Sequence, residues 1–191
     1  MNEDALIKSS ITGDADAFER LVAAYEKPIY NYCLRMLCDA EDARDATQDV
    51  FLKLYRNLGK YRSQEGASFK SWVYRLANNT CIDAIRRKKA RIAPDSLDAA
   101  IETDDGALER QVGAGGDTPE DAVLKKERQA AIRRAIDALP TEFRQMITLR
   151  DLQGLSYEEI TQITGIKPGT VKSKINRARG KLRELIQKNY V

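Results

Sequence analysis

The chain contains no histidine, and this absence removes the commonest general base and the commonest metal ligand available near neutral pH. It also has no glycine-rich phosphate loop and no acidic cluster at metal-binding spacing. The three cysteines, Cys33, Cys38 and Cys81, are odd in number and lack paired spacing, so we interpret them as reduced core residues. We therefore expect a protein that is not an enzyme, with no catalytic residue, no metal site and no cofactor.

Long apolar runs are missing as well. No apolar stretch approaches the roughly 20 residues that a membrane-spanning helix needs. The first residues, MNEDAL, are acidic where a signal peptide is basic. These two features predict a cytoplasmic protein without membrane insertion.

Charge is unevenly distributed along the chain. The 191 residues are 42% hydrophobic and 32% charged, with a net charge of only +3, which suits one or two small helical domains. Basic residues nevertheless predominate from Lys60 to Arg91 and again from Leu155 to the end, and residues 92–118 between these segments are acidic. Two basic patches separated by an acidic spacer favour two nucleic-acid contacts over one.

The segment from Leu155 to Leu182 has the pattern of a helix-turn-helix. Ser156 and Glu159 form the capping box of a first helix, Gly165 is suited to end it, and Pro168 is suited to begin a second. Apolar residues of the second helix lie on one narrow stripe: Val171, Ile175, Ala178 and Leu182. Its other face is cationic and hydrogen-bonding, which is typical of a helix that reads the major groove. An ordinary helical hairpin with a solvated basic face is the alternative.

Periodicity predicts helices along the first half of the chain. They cover residues 4–11, a segment that begins after Asp14 or Asp16 and is opened or kinked at Pro28, and residues 40–57 after a cap at Asp39. In the last of these, one exposed stripe contains Asp45, Gln48, Asp49 and Leu52. Periodicity alone leaves open whether this stripe is a docking face or a solvated surface.

Ser68 is predicted to cap a further helix that follows the polar loop GKYRSQEGA. The loop contains Tyr61 and Arg62, and Trp72 is interpreted as a core residue. Polar residues are expected on the outside of the helix: Lys70, Ser71, Arg75, Asn78, Asn79, Asp83, Arg86 and Arg87. Such a surface is suited to phosphates and unstacked bases.

The domain organisation follows from these elements. Residues 92–118 lose periodicity and predict a flexible acidic linker. A helix is then expected from Pro119 to Pro140 and another from Thr141 to Gly154, ahead of the helix-turn-helix. We predict an all-α fold with two small helical domains, residues 1–91 and residues 119–191, the second containing the helix-turn-helix.

The order of these parts resembles a bacterial RNA polymerase sigma factor of the extracytoplasmic-function (ECF) group. Three segments carry the resemblance: EDARDATQDVFLKLYRNL (Glu41–Leu58), FKSWVYRLANNTCIDAIRRKK (Phe69–Lys89) and LPTEFRQMITLRDLQGLSYEEITQITGIKPGTVKSKINRAR (Leu139–Arg179). The similarity covers nearly the whole chain. It implies that residues 1–91 correspond to sigma region 2 and residues 119–191 to sigma region 4.

The resemblance implies roles for individual residues. One set matches the surface that docks on core RNA polymerase: Asp45, Gln48, Asp49 and Phe51. A second set matches the part that captures a flipped base of the minus-ten element: Tyr61, Arg62, Arg75, Asn79, Asp83 and Arg86. A third set matches the readers of the minus-thirty-five element: Thr170, Lys172, Ser173, Asn176 and Arg177. Lys172 and Lys174 stand where relatives often carry arginine, which favours phosphate contacts over bidentate guanine readout.

The expected function is therefore that of a transcription initiation factor that directs core RNA polymerase to promoters and promotes DNA opening. The partners implied are core RNA polymerase, promoter DNA and an anti-sigma factor. A stand-alone helix-turn-helix regulator is the alternative, but it leaves the stripe at Asp45 and the first basic patch without a role.

Overall fold

The computed structural model describes residues 3–61, 68–92 and 119–190, with side chains at 3–61, 68–91 and 125–188. All regular structure in these ranges is helical. The elements are α1 (Glu3–Ile11), α2 (Ala15–Leu37), α3 (Ala40–Asn57), a 3₁₀ turn (Leu58–Lys60), α4 (Phe69–Ile92), α5 (Pro119–Asp137), α6 (Thr141–Ile147), a π-helical turn (Thr148–Leu152), α7 (Tyr157–Thr164) and α8 (Pro168–Tyr190). None of the helices described is both long and apolar enough to span a bilayer.

Short polar side chains begin the helices of the first half, as the sequence predicts. Asp14 accepts a hydrogen bond from the backbone N–H of Ala17 at 3.1 Å and so caps α2. Asp39 caps α3 in the same way, and Ser68 accepts from the N–H of Ser71 at 3.1 Å at the start of α4. Each cap satisfies an N–H that the helix itself leaves without a partner.

Pro28 is expected to begin a new helical segment or to kink the helix. Instead it lies inside α2, which continues across it, so no helix begins at Pro28. The helix ends instead at Cys38, whose φ of 56° is left-handed, and the N–H of Cys38 donates to the carbonyl of Leu34. Among the residues described, Cys38 is the only one other than glycine with a positive φ.

The first half is built on α2, α3 and α4, which pack against one another, with α1 added along α2. Their facing side chains are fully or almost fully buried: Leu21, Ile29, Tyr32, Cys33, Met36, Val50, Leu54, Val73, Ala77 and Cys81. Cys33 and Cys81 are free thiols within this core, as expected, whereas Cys38, expected there too, is a half-buried free thiol at the end of α2.

The second half contains the helix-turn-helix in α7 and α8. The capping box of Ser156 and Glu159 is formed in both directions, Gly165 ends α7 with a φ of 70°, and Pro168 is the first residue of α8. The helix expected from Thr141 to Gly154 is interrupted, because α6 ends at Ile147 and a π-helical turn follows. The helix-turn-helix prediction is confirmed.

The two halves are in direct contact, α7 lying against α4 and α6 against α2. Ser71 and Asn78, expected on the outer face of α4, are only 2% and 5% exposed. That expectation is wrong because α6 and α7 lie close to α4. The all-helical fold class with two helical domains is confirmed, whereas residues 93–118 lie outside the part of the chain that the structure describes.

Candidate polymerase and nucleic-acid interfaces

The reading face of α8 is exposed. Val171, Ile175 and Ala178 are completely buried against the other helices, so α8 is held by one narrow side. The remaining circumference presents the five side chains predicted to read the upstream element, all of them exposed: Thr170, Lys172, Ser173, Asn176 and Arg177. A helix fixed by its apolar stripe and open on its polar side can enter a major groove.

Lys174 and Arg179 of α8 are paired with residues of other elements. Lys174 donates to the Glu142 carboxylate at 2.6 Å, and Arg179 forms an ion pair with Asp151. These pairs anchor the edges of α8 to α6 and to the π-helical turn. Lys174 is therefore engaged with its own protein, whereas Lys172 projects from the exposed face.

The outer face of α4 presents a ladder of polar side chains. Arg75, Asn79, Asp83 and Arg86 are exposed and follow one another at helical spacing within about 80° of the circumference. Asp83 and Arg86 approach within 3.8 Å of one another. The ladder combines hydrogen-bonding groups with cations, a combination suited to phosphates and to the edges of unstacked bases.

Tyr61 lies at the start of this ladder, in an aromatic cluster. Its ring centroid is 5.2 Å from those of Phe69 and Trp72, and its ring is partly buried. The structure thus places Tyr61 beside the N-terminal end of α4. Arg62, the other loop residue predicted to contact the minus-ten element, lies outside the described residues.

On α3, the predicted docking residues divide into two groups. Asp45, Gln48 and Asp49 are exposed on one stripe, together with Leu52, which is 53% exposed. Phe51 points to the side and is half-buried against the core. The polar residues can therefore meet a partner directly, whereas Phe51 supports the helix and adds apolar surface at the edge.

A groove of about 710 Å³ separates this stripe from the end of α4 and from α6. Asp45 and Asp49 line one side, Lys89 and Arg91 another, and Thr141 and Arg144 of α6 complete it. Lys88 donates to Asp42 across the groove at 2.9 Å, and this hydrogen bond raises the pKa of Lys88. The groove thus joins the predicted docking stripe to the second half of the chain.

Sequence reasoning missed the residues through which the two halves bind each other. Tyr74 and Asn78 of the first half form hydrogen bonds with Gln153 and Gln145 of the second. From the sequence, Asn78 is expected on the outer face of its helix and Tyr74 is assigned no role, so no local signal distinguishes these residues. Only the approach of α6 and α7 shows that they are paired.

Comparison with protein families gives two matches. Residues 21–91 match the model for Sigma-70 region 2, and residues 129–182 match the model for Sigma-70, region 4. The first match contains α3 and α4 with their exposed faces, and the second contains the helix-turn-helix.

Curated relatives match along nearly the full chain. The ECF RNA polymerase sigma factor SigW of Bacillus subtilis (strain 168) is 38% identical over 183 residues, which cover 95% of each chain. The RNA polymerase sigma-H factor of Pseudomonas aeruginosa is 35% identical, covering 97% of this chain and 94% of the relative. The ECF RNA polymerase sigma-E factor of Escherichia coli (strain K12) is 32% identical, covering 98% and 95%.

Solved structures agree on the fold. CnrH in complex with the cytosolic domain of CnrY has a TM-score of 0.65 at 21% identity, covering 98% of this chain and 99% of that one. The sigma factor RpoE of Bartonella quintana, in complex with the anti-sigma factor NepR, has a TM-score of 0.65 at 23% identity, covering 89% and 96%. With two matched regions and full-length relatives above 30% identity, the chain belongs to the ECF group of RNA polymerase sigma factors and is a promoter-specific transcription initiation factor.

Proposed function

We propose that three exposed helix faces have separate binding roles in initiation. The face of α3 binds core RNA polymerase, that of α4 binds the minus-ten element, and that of α8 binds the minus-thirty-five element. The observation that carries the proposal is that α4 and α8 each bury one side and leave a cationic, hydrogen-bonding side uncovered. The exposed stripe on α3 lies apart from both of these faces along the chain. Such an arrangement supports one protein surface and two DNA surfaces in a single factor.

The stripe of Asp45, Gln48 and Asp49, with Phe51 at its edge, binds core RNA polymerase. Its two carboxylates and one amide are exposed, and Leu52 between them adds apolar area. Interfaces of this kind gain orientation from charge complementarity and affinity from the apolar surface that they cover. The polymerase surface that receives the stripe is therefore basic, with an apolar centre.

The minus-ten element is read by the ladder on α4 and by Tyr61 with Arg62. Arg75 and Arg86 hold phosphates, and Asn79 and Asp83 offer donors and acceptors to an unpaired base. Unstacking that base costs a few kcal/mol, which contacts with the base must offset. The aromatic cluster around Tyr61 supplies a stacking surface close to the ladder.

The minus-thirty-five element is read by the exposed face of α8. Thr170, Ser173 and Asn176 can form hydrogen bonds with base edges or phosphates, and Arg177 can reach a guanine. Lys172 provides a point charge for a phosphate. This division makes α8 a reader of duplex DNA, whereas α4 contacts separated strands.

The domain boundaries and the cellular location follow from the same assignment. Residues 1–91 act as region 2, residues 119–191 as region 4, and residues 92–118 connect them. We place the protein in the cytoplasm, where core polymerase and promoter DNA are found, and we assign it a binding role without catalysis. An anti-sigma factor is its proposed regulator, in keeping with the complexes of CnrH and RpoE named above.

The test is transcription by core RNA polymerase with and without the purified chain, from templates randomised in both promoter elements. The chain should direct initiation to a defined pair of elements, and it should bind duplex DNA only weakly in the absence of core enzyme, since phosphate contacts alone give non-specific affinity. Tight, sequence-specific binding by the chain alone, without co-purification of core polymerase, would instead identify a stand-alone regulator.

A further inference from the structure

Two of the three cysteines form a buried pair that none of the proposed binding roles uses. Cys33 lies on α2 and Cys81 on α4, and these two helices pack against one another. Both residues are free thiols and both are completely buried. Their side chains are joined by a hydrogen bond, so the two sulfur atoms are in direct contact. Two thiols that meet across a helix pair are placed to be joined by a disulfide.

The hydrogen bond makes the two thiols chemically unequal. Cys81 donates its proton to the sulfur of Cys33, and this bond lowers the pKa of Cys33. The same bond, together with burial, raises the pKa of Cys81, and the Lys53 ammonium opposes part of that rise. Lys53 is held beside α4 by a hydrogen bond to the hydroxyl of Thr80 at 2.9 Å. Since the thiolate is the form that reacts with oxidants, Cys33 is the nucleophile of the pair and Cys81 is its proton-bearing partner.

The third cysteine differs from this pair. Cys38 is only partly buried, and its sulfur contacts Arg144 and two backbone carbonyls instead of another thiol. Burial raises the pKa of Cys38 to about 11, so this residue is a neutral thiol near neutral pH. Cys38 therefore serves as an internal reference for the reactivity of an isolated thiol in the same chain.

A small oxidant has a route towards the pair. The groove of about 710 Å³ beside α3 is lined by Met36 of α2, Ala46 of α3 and Thr80 of α4, so it borders each of the three helices that pack around the thiols. Hydrogen peroxide is little larger than water, and a local opening at these side chains admits it to the pair. Bulky disulfide reagents need a much larger opening, so we expect them to react far more slowly.

We propose that Cys33 and Cys81 form a modification site at which hydrogen peroxide converts the thiol pair into a disulfide between α2 and α4. The Cys33 thiolate attacks one peroxide oxygen and the O–O bond breaks. Hydroxide leaves, takes up the proton that Cys33 released, and Cys33 becomes a sulfenic acid. The sulfur of Cys81 then attacks the sulfur of Cys33, the S–S bond forms, and the S–O bond breaks. The departing hydroxyl takes the Cys81 proton and leaves as water, so two thiols lose two electrons and one peroxide gives two waters.

The disulfide shifts the helix that carries the minus-ten ladder. An S–S bond is about 2.05 Å long, shorter than the separation of two hydrogen-bonded sulfurs, so oxidation draws α4 towards α2. Asn79 and Asp83 lie on the exposed side of α4, two residues before and after Cys81. Their displacement should weaken the binding of an unpaired base by about threefold to tenfold, as for the loss of one hydrogen bond. This consequence rests on the proposed function, whereas formation of the disulfide does not.

The first measurement detects the disulfide itself. The full chain is reduced, transferred to buffer without reductant, treated with hydrogen peroxide, alkylated in denaturant and digested with trypsin. Cleavage after lysine and arginine places the three cysteines on separate peptides, residues 21–35, 36–44 and 76–86. We expect peptides 21–35 and 76–86 to be cross-linked with the loss of two hydrogens, and to separate again on reduction. Peptide 36–44 should stay alkylated.

The second measurement is the affinity for single-stranded DNA that carries the minus-ten sequence selected in the transcription test, followed by Trp72 emission. Oxidised wild type should bind about threefold to tenfold more weakly than the reduced form, and dithiothreitol should restore the affinity. Cys33→Ser and Cys81→Ser should bind equally well before and after peroxide. Cys38→Ser, which keeps the pair, is the matched control and should respond like the wild type. Circular dichroism verifies that each variant is folded.

The two measurements fail independently. No cross-linked peptide from the wild type, at a peroxide concentration that already oxidises Cys38, would overturn the modification site whether or not the serine variants fold. A disulfide that forms without any change in DNA affinity would support the site and overturn its effect on α4. If the reduced wild type does not bind the DNA at all, the proposed function of α4 fails, and the peptides still decide whether Cys33 and Cys81 form the disulfide.

Discussion

Arg144 of α6 donates a hydrogen bond to the Sγ of Cys38 at 2.7 Å, and Cys38 holds the left-handed backbone conformation, φ 56°, that ends α2. This position usually carries glycine, because a Cβ is disfavoured there. The thiol therefore occupies a strained backbone position from which it meets the second half of the chain.

Two substitutions separate the strain at Cys38 from the contact with Arg144. Cys38→Ala and Cys38→Gly both remove the thiol, but only glycine relieves the left-handed backbone. An L-residue in this conformation costs about 1–2 kcal/mol, and glycine avoids this cost. Glycine also raises the conformational entropy of the unfolded chain, which offsets part of the gain. Cys38→Gly should therefore be more stable than Cys38→Ala by about 0.5–1 kcal/mol. Urea unfolding measures the difference, and equal free energies of unfolding would contradict the strain.

The Cys38 thiol also predicts a pH dependence of stability. Burial raises the pKa of Cys38 from 9.0 to about 11, because the thiolate loses solvation. The folded state then holds its proton more tightly than the unfolded state. The contribution to stability is complete below pH 9 and is lost as the pH rises to about 11.

The measurement is the free energy of unfolding between pH 8 and pH 11 for wild type and Cys38→Ala. Buried tyrosines titrate in the same range, since burial raises the pKa of Tyr74 to about 12, so only the difference between the two proteins reports on the thiol. The wild type should lose more stability than Cys38→Ala over this interval. Parallel curves would show that the thiol does not titrate with a raised pKa.

The docking stripe on α3 is tested by Asp49→Lys. Asp49 is exposed, so reversal of its charge should leave helical content unchanged while it weakens binding to core polymerase by about tenfold or more. Glu26→Lys, an equally exposed charge reversal on α2, is the matched control. Unchanged affinity of Asp49→Lys in a pull-down titration, with a normal circular dichroism spectrum, would make the stripe an ordinary solvated surface.

Trp72, the single tryptophan of the chain, provides a signal for the minus-ten site. Its ring centroid lies 5.2 Å from that of Tyr61, so a base that stacks beside Tyr61 changes the surroundings of the indole. Single-stranded minus-ten DNA should therefore alter Trp72 emission at low salt. Tyr61→Leu should weaken that binding by about tenfold, since one stacked base contributes about 1–3 kcal/mol. Tyr55→Leu, at an exposed tyrosine of α3, should bind like the wild type.

The starts of several helices are encoded locally in the sequence. Asp39, Ser68 and the pair Ser156 with Glu159 begin helices where expected, because a cap depends on atoms within three or four residues. The exposed face of α8 is likewise predictable from its apolar stripe. These features determine the fold class and the helix-turn-helix.

Contacts between the halves could not be predicted in this way. Asn78 has the polarity and helical position of an exposed residue, and its burial depends on Gln145, which is 67 residues away in the chain. Ser71 is misjudged for the same reason. A periodic pattern records which face of a helix is apolar, but it does not record a buried polar face whose hydrogen bonds are satisfied by a distant helix. The site residues themselves stay predictions until they are tested by mutation.

The reading helix is tested at Arg177, which is exposed on the side of α8 opposite Val171 and Ile175. If its guanidinium reads a guanine, Arg177→Ala should cost about 1–3 kcal/mol and relax the preference at one position of the minus-thirty-five element. If it holds only a phosphate, the loss should be uniform across sequences, with a shallower salt dependence. Transcription from promoters randomised in that element, at two salt concentrations, separates the two cases. Arg183→Ala, at an exposed arginine further along α8, is the control, and an Arg177→Ala protein that matches it in both activity and salt dependence would remove α8 from the DNA interface.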